Sequence, residues 1–275
     1  MQKFIRYSLL SLYLLVCVLS ASAQSLKPQG TFEKQQNVIT GSYSFWLYKP
    51  ADYIDDDHDF PLIIFLHGAS LCGRNLNKVR RYGVLDAIDR GKVIPTLVVA
   101  PQNPGGAWSP SKLNDLLEWM KSHYRVDSTR VYVLGMSLGG YGTMDFVGTY
   151  PDKIAAAMAF CGGCSLKNQD GLGRVPLWIM HGTADRAVSI KESKKVVEYL
   201  QEKDMDHLLR YDWMQGGGHG APARLFYLQK TYDWLFYHSL KDSPREVDRS
   251  FDITPEDIKT TYQELRALPH MYDKD

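Results

Sequence analysis

The feature that most constrains the fold is a series of short apolar runs in which polar residues do not alternate. The clearest run ends at His67, directly before Gly68. The runs occupy residues 61–67, 96–100, 131–134 and 175–180, with a weaker one at 154–160. Runs this short, without polar alternation, are typical of strands that are buried on both faces of a parallel sheet. Two further strands are predicted, at residues 44–48 and 208–214.

Segments with helical periodicity lie between and after these runs. They cover residues 113–123, 139–150, 189–201 and 223–236, and the last carries an aromatic stripe that is typical of core packing. The alternation of strand and helix predicts an α/β fold, with a mostly parallel central sheet, flanking helices and right-handed crossovers. A chain of 275 residues, 44% of them hydrophobic, can bury a large core in one such domain.

The two ends of the chain differ from this central domain, which is predicted to cover residues 24–240. Residues 1–23 resemble an export signal, with a basic start, a short apolar stretch and the small-residue pattern Ala-Ser-Ala before the cleavage point. We therefore expect an exported protein, periplasmic or extracellular; an uncleaved anchor and a lipid-modified Cys17 are the alternatives. Residues 241–275 are polar, and a helix is predicted to begin at Thr254. This extension is interpreted as a docked appendage or a mobile tail.

Charge and cysteine content narrow the classes of partner and cofactor. The formal net charge of +1 shows no excess of basic residues of the kind that binds nucleic acid or an anionic membrane. A small neutral or modestly polar substrate is therefore expected. Cleavage of the signal would leave Cys72, Cys161 and Cys164. Cys161 and Cys164 form a C-x-x-C that follows a strand, and no second such pair supplies further ligands, so no metal site is predicted. The sequence is compatible with buried free thiols and with one local disulfide among these cysteines.

The strongest chemical signal is the segment Gly135-Met136-Ser137-Leu138-Gly139. It follows a predicted buried strand and opens a glycine-rich helix, which is the context of a nucleophile elbow. In such a turn the glycines permit close backbone approach, and the helix N-terminus favours developing negative charge. Ser137 is therefore predicted to be a nucleophile.

A serine hydroxyl needs a base, and the base needs an orienting acid. After such an elbow the acid precedes the histidine along the chain. Asp185 lies in the turn after the strand at 175–180, and His219 lies in a glycine-rich loop after the last strand. We therefore predict a triad of Ser137, Asp185 and His219.

Acyl transfer also requires hydrogen-bond donors for an oxyanion. One predicted donor is the backbone N–H of Leu138, and the other is that of Ala69 in the loop after the strand at 61–67. The alternative is that His67-Gly68 is only a strand-end turn. His67 and His181 each end a strand before a glycine and are predicted to hold loops by hydrogen bonds.

Together these motifs resemble those of single-domain secreted esterases of the α/β-hydrolase superfamily. The resemblance is to feruloyl and acetyl esterases and to polyhydroxybutyrate-depolymerase-like and dienelactone-hydrolase-like proteins. It spans about residues 61–236, and the matching segments are His67-Gly68-Ala69, Pro101-Gln102 with Trp108, residues 135–140, Cys161-Gly162-Gly163, residues 181–185 and Gly218-His219-Gly220. The resemblance implies an α/β-hydrolase fold, no cofactor, and a Trp108 that lines the acyl or alcohol pocket; a packing role for Trp108 is the alternative.

The expected reaction is hydrolysis of carboxylic esters through an acyl-enzyme. Only a short connection joins residue 160 to residue 175, where lids of this fold commonly insert, so an open site without a large lid is predicted. Such a site favours soluble or polysaccharide-linked feruloyl or acetyl esters over bulk lipid. The alternatives are a small serine peptidase of the same fold and a non-catalytic glycan-binding protein. The acyl and alcohol specificity and the oligomeric state are left open.

Overall fold

The computed structural model describes residues 30–249 and 253–266. The predicted export signal at 1–23, including Cys17, lies outside the described residues. Within the described ranges, no helix combines the length and the apolar character needed to cross a membrane.

An eight-stranded sheet forms the centre of the molecule. Its strands are β1 (Thr31–Gln35), β2 (Phe45–Lys49), β3 (Phe60–Leu66), β4 (Leu97–Pro101), β5 (Val126–Met136), β6 (Ala156–Phe160), β7 (Leu177–Gly182) and β8 (Leu209–Met214). They lie in the order β1-β2-β4-β3-β5-β6-β7-β8. β2 runs antiparallel to β1 and β4, and the remaining pairs are parallel. The mostly parallel α/β sheet predicted from the apolar runs is confirmed.

Both faces of the sheet are covered, which explains why the strands lack polar alternation. Every residue of β3 is buried. Leu62 and Ile64 belong to one apolar core, whereas Ile63 and Phe65 belong to the other. Since successive side chains of a strand point to opposite faces, a strand between two cores must be apolar at every position.

Helices supply the two outer layers. They are α1 (Val84–Asp89), α2 (Pro110–His123), α3 (Leu138–Thr149), α4 (Ile190–Glu202), α5 (Gln229–Phe236) and α6 (Pro255–Arg266). Apolar residues of α2, α3 and α4 join the core of Leu62, and those of α1 and α5 join the core of Ile63. The helices therefore flank the sheet on both sides, as the alternation of elements predicts.

The helix predicted over 223–236 is the main local difference. A short 3₁₀ segment, Pro222–Tyr227, is followed by an extended Leu228, and only then does α5 begin. The carbonyl of Leu225 accepts the N–H of Leu228, so the turn closes over three residues as in a 3₁₀ helix, and the same oxygen also accepts the Thr231 hydroxyl. The apolar pattern persists across the break because both pieces pack on the same core.

The described part of the polar extension packs against the domain. Arg249 donates to the carbonyls of Leu209 and His207. Thr254 and Asp257 cap α6 reciprocally, because the Asp257 N–H donates to the Thr254 hydroxyl and the Thr254 N–H donates to the Asp257 carboxylate. The ammonium of Lys230 on α5 lies 2.8 Å from the same carboxylate, so α6 is tied to the body of the fold.

Candidate active site

Ser137 lies at the sharp turn between β5 and α3. Its backbone has φ +58° and ψ −121°, a left-handed conformation that is uncommon for a residue with a side chain. The Ser137 N–H donates to the carbonyl of Phe160 at the end of β6, which fixes the turn to the sheet. The side chain is half-buried and Leu138 begins the helix behind it. The strand–turn–helix context predicted for the elbow is therefore present.

The glycines around Ser137 are required by close backbone contacts. A Cβ atom at Gly135 would lie 2.2 Å from the carbonyl oxygen of Gly139. A Cβ atom at Gly139 would lie 1.9 Å from the carbonyl oxygen of Leu66 on β3. Neither separation is possible between non-bonded atoms, so both positions must lack a side chain. The sequence Gly-x-Ser-x-Gly follows directly from this packing.

Asp185 and His219 meet at the ends of neighbouring strands. Asp185 lies in the turn after β7, and His219 lies in the loop after β8. The Nδ1 atom of His219 lies 2.7 Å from Asp185 Oδ2, and the Asp185 side chain is fully buried. The second carboxylate oxygen accepts the backbone N–H groups of Ala187 and Val188 at 2.8 and 3.0 Å. This pairing leaves Nε2 of His219 as the ring nitrogen that is available for proton transfer.

Hydrogen bonds keep the Asp185 carboxylate ionised. Burial raises its pKa, but the hydrogen bonds from His219, Val188 and Ala187 together outweigh that effect, and the pKa lies below its ordinary value. An anionic Asp185 fixes the tautomer of His219 that carries its proton on Nδ1 and stabilises the imidazolium that forms when Nε2 takes a proton.

His67 and His181 lie at strand ends beneath the loops of this edge. His67 Nδ1 lies 2.8 Å from the carbonyl oxygen of Gly68, and its Nε2 accepts the N–H of Asn103. His181 contacts Ser193 Oγ on α4 at 2.7 Å and also lies 3.2 Å from the Asp185 carboxylate. Both rings are fully buried. They join loops by hydrogen bonds, as predicted, and the proximity of His181 to Asp185 is a feature that sequence spacing did not reveal.

A cleft of about 690 Å³ collects the predicted groups at the carboxyl end of the sheet. Its wall includes Ser137, His219, Ala69 and Leu138 together with aromatic and apolar side chains, among them Tyr82, Tyr141, Met136 and Val188. The structure therefore brings the serine, the imidazole and both predicted oxyanion donors to one space.

The geometry distinguishes between two neighbouring amides as oxyanion donors. The N–H of Gly68 donates to the Tyr82 hydroxyl at 2.6 Å, so it is already engaged. Ala69 follows it, is exposed and lines the cleft. Leu138 is the first residue of α3, where a backbone N–H has no partner within the helix. These contacts favour Ala69 and Leu138, which remain predictions.

Trp108 does not lie in the wall of this cleft. Its side chain is 3% exposed, and its indole N–H donates to the carbonyl of His67. A Cβ atom at Gly142 on α3 would lie 2.6 Å from the Trp108 ring, so the indole packs beneath that helix. The structure thus places Trp108 in the packing position that was the alternative to substrate contact.

The cysteines are free thiols in the described structure. Cys161 lies beside the acid and base: ligand atoms of Cys161, Asp185 and His219 all fall within 4.8 Å of one another. A metal ion there would require a thiolate and would compete with the hydrogen bond between Asp185 and His219. Burial raises the pKa of the Cys161 thiol to about 12, so this group is a neutral thiol at physiological pH. The thiol instead contacts the carbonyl oxygen of His219 at 3.4 Å.

Comparison with known proteins finds esterases among the proteins that this chain is similar to. Residues 107–224 match the dienelactone hydrolase family. A segment of 68 residues is 34% identical to a probable acetylxylan esterase A of Aspergillus flavus and covers 24% of this chain and 22% of that protein. The chain thus spans about a fifth of the length of that relative.

Solved structures extend the similarity over most of the chain. A thermostable esterase superposes with a TM-score of 0.65 at 26% identity and covers 77% of this chain and 63% of that one. A feruloyl esterase module from Clostridium thermocellum, solved with sinapinate, gives a TM-score of 0.57 at 19% identity, with 78% and 90% covered. The predicted fold and the predicted resemblance to esterases are confirmed by these comparisons.

Proposed function

We propose that this protein, which has the α/β-hydrolase fold and whose relatives are carboxylic ester hydrolases, is itself a serine esterase. The observation that carries the proposal is the shared cleft: Ser137 and the Asp185-bound His219 line one space with the amides of Ala69 and Leu138. A nucleophile, a base with an ionised orienting acid, and two oxyanion donors are the groups that ester hydrolysis requires.

Acylation uses these groups in a fixed order. His219 Nε2 takes the proton of Ser137 while the serine Oγ forms a bond to the ester carbonyl carbon. The carbonyl oxygen becomes an oxyanion, which the N–H groups of Ala69 and Leu138 stabilise. The intermediate collapses by breaking the bond to the alcohol oxygen, and the imidazolium of His219 donates its proton to that leaving group. Asp185 remains ionised throughout.

Deacylation repeats the sequence with water. His219 takes a proton from a water molecule, whose oxygen bonds to the acyl carbon. The same two amides hold the second oxyanion. Collapse breaks the bond to Ser137, which recovers its proton from His219, and the carboxylic acid leaves. Every proton in the two steps therefore moves between Ser137, His219, water and the leaving alcohol, and no other proton donor or acceptor is needed.

The shape of the cleft supports small or chain-borne esters as substrates. The connection between β6 and β7 contains only a short 3₁₀ turn, Asp170–Arg174, so no large lid inserts at this place. The cleft wall combines tyrosines with apolar side chains, which suits an acyl group of aromatic or short aliphatic type. We propose polysaccharide-linked feruloyl or acetyl esters, or other small soluble esters, as the substrate class.

Export of the protein is a separate proposal that rests on the sequence of residues 1–23. Expression in a bacterial host, followed by fractionation and N-terminal sequencing, tests it. A mature chain that begins at Gln24 in the periplasm or medium supports cleavage after Ala23. A cell-associated chain that retains residues 1–23 would support the uncleaved anchor instead.

The esterase proposal is tested by turnover of p-nitrophenyl acetate and methyl ferulate by the wild-type chain and by Ser137→Ala. The wild type is expected to hydrolyse at least one ester, and the variant is expected to fall to the rate of the uncatalysed reaction. The ratio of the two rates begins to identify the acyl group. An inactive wild type that a fluorophosphonate also fails to label at Ser137 would overturn the proposal, and faster cleavage of peptides than of esters would favour a peptidase.

A further inference from the structure

Tyr82 lies in the loop before α1 and reaches the cleft from the side of β3. Its ring packs edge-on against Phe65, with 6.2 Å between the ring centres, and its hydroxyl accepts the Gly68 N–H at 2.6 Å. The side chain is half-buried and forms part of the cleft wall. No motif marks this position, so the sequence alone did not select it.

The Tyr82 hydroxyl and the Ser137 side chain flank the same glycine. A methyl group added at Gly68 would lie 3.0 Å from the Tyr82 hydroxyl oxygen and 3.3 Å from Ser137 Cβ. Ala69, whose N–H is a proposed oxyanion donor, is the next residue in the chain. The phenol therefore lies on the side of Gly68 that faces the nucleophile, next to the position where a carbonyl oxygen must sit during attack.

The Tyr82 hydroxyl is also protonated and can therefore donate a hydrogen bond. Burial raises the pKa of Tyr82, against the hydrogen bonds from the Gly68 N–H and from Ser70, so the phenol stays neutral at physiological pH. The Gly68 N–H acts on the phenolic oxygen as a donor. A phenol can donate one hydrogen bond in addition to those it accepts, and the groups available to accept it are the Ser70 hydroxyl and the contents of the cleft.

We propose that the Tyr82 hydroxyl donates a third hydrogen bond to the oxyanion, beside the amides of Ala69 and Leu138. The inference rests on the proposed esterase function and assigns a further catalytic residue to it. Tyr82 then has two roles, since its oxygen fixes the Gly68 amide while its proton stabilises the charge that develops in the transition state. A donor that strengthens with developing charge lowers the barrier to acylation and contributes little to ground-state binding.

The test compares Tyr82→Phe with Tyr53→Phe as a matched control. Tyr53 also accepts a backbone N–H through its hydroxyl, from Arg125 at 3.1 Å, but it does not line the cleft. Each variant is assayed on p-nitrophenyl acetate and on the corresponding thionoester, in which sulfur replaces the carbonyl oxygen and accepts hydrogen bonds poorly. Single-turnover measurement with enzyme in excess gives the acylation rate on both esters, and thermal unfolding reports on the fold.

We expect Tyr82→Phe to lower acylation of the oxygen ester by about 10²-fold, the scale of losing one oxyanion donor, while the enzyme concentration that gives half the maximal single-turnover rate changes little. The ratio of the oxygen-ester rate to the thionoester rate should fall in this variant and stay at the wild-type value in Tyr53→Phe. If this ratio in Tyr82→Phe equals the wild-type ratio, the oxyanion role is overturned, whether or not the two rates themselves have fallen. Tyr82 would then act only by accepting the Gly68 N–H and positioning that loop. A wild type that is inactive on both of these esters and on methyl ferulate, and that a fluorophosphonate fails to label at Ser137, would instead overturn the esterase proposal and this inference with it.

Discussion

Ser137 lies in a turn whose shape is set by backbone sterics, whereas Asp185 and His219 lie in loops held by side-chain hydrogen bonds. Around the nucleophile, a Cβ atom at Gly139 would meet the Leu66 carbonyl oxygen at 1.9 Å. Around the base, a Cβ atom at Gly218 or at Gly220 would meet nothing within 4 Å. The elbow is closely packed, whereas the two glycines that flank His219 have open space around them. The base of the His219 loop is packed, since a Cβ atom at Gly182 would lie 2.2 Å from the Gly217 carbonyl oxygen.

Because of this difference, the two regions should be sensitive to different kinds of substitution. The elbow has no room for a side chain, so almost any substitution of its glycines must move the sheet or the helix. The loop of His219 has room, but its orientation depends on the 2.7 Å bond to Asp185 and on the contact of its carbonyl with Cys161. Steric changes should therefore damage the elbow, and polar changes should damage the acid–base loops.

The largest effect is expected from Asp185→Asn. The amide cannot stabilise the imidazolium and favours the wrong tautomer of His219, so kcat should fall by about 10⁴-fold, as in serine enzymes that use this type of triad. The buried site keeps its shape, so the thermal unfolding temperature should change far less than the rate. Steady-state kinetics on p-nitrophenyl acetate measures the change, and a variant within tenfold of wild type would remove Asp185 from the proposed triad.

The next largest effect is a difference in the free energy of unfolding between substitutions in the two regions. Gly139→Ala should lower the free energy of unfolding by about 3 kcal/mol, because the methyl group must displace β3 or α3. Gly218→Ala, in the open loop, should change it by less than about 0.5 kcal/mol. Denaturant titration of both variants measures the contrast. Equal destabilisation by the two substitutions would mean that the His219 loop is as closely packed as the elbow.

The same contrast explains what the sequence could predict. The elbow was predictable because its steric needs appear as glycines at fixed spacing around Ser137, and the strands were predictable because burial on both faces excludes polar residues. Asp185 and His219 followed from their order along the chain and their strand-end positions. The contacts around them were not predictable. His181 lies at the end of the strand that precedes Asp185, but a spacing of four residues across a strand end and a turn does not fix a side-chain contact. Cys161 follows β6 and comes close to Asp185 only through the sheet order.

Other misses have similar physical causes. Trp108 was assigned to the pocket by resemblance, but close approach of α3 at Gly142 buries its ring against the helix. Tyr82 was overlooked because a loop residue before the six-residue helix α1 carries no periodic signal. The helix at 223–236 was predicted as continuous because an apolar stripe does not record the 3₁₀ turn that ends at Tyr227 or the extended backbone of Leu228.

Acid should lower the free energy of unfolding, because a buried histidine lies beneath each of the two regions. Burial lowers the pKa of His67 and of His181 below the ordinary value of 6.5. The unfolded imidazoles therefore take up protons first, so the stability that they contribute is present above about pH 6.5 and is lost as the pH falls through the folded values. Each proton changes the free energy of unfolding by at most about 1.4 kcal/mol per pH unit.

Denaturant titrations at pH 7 and pH 5 compare the wild type with His67→Gln and with His181→Gln. Each variant lacks one titrating ring and should lose less stability than the wild type over this interval. A pH dependence that both variants share with the wild type would assign the acid sensitivity to other groups.

The smallest effect tests whether the open region depends on the weak contact made by Cys161. Cys161→Ala removes the S–H donor to the His219 carbonyl, and alanine is preferred to glycine because Cys161 has φ +49° and glycine would also change the backbone freedom. Thiol hydrogen bonds are weak, so kcat should fall by roughly three- to tenfold, with Asp185 still holding the ring. Cys72→Ala, which is half-exposed and outside the cleft wall, should leave kcat unchanged. A loss comparable to that of Asp185→Asn would show that the thiol and the carboxylate hold His219 as one unit, whereas no loss would leave the carboxylate alone in that role.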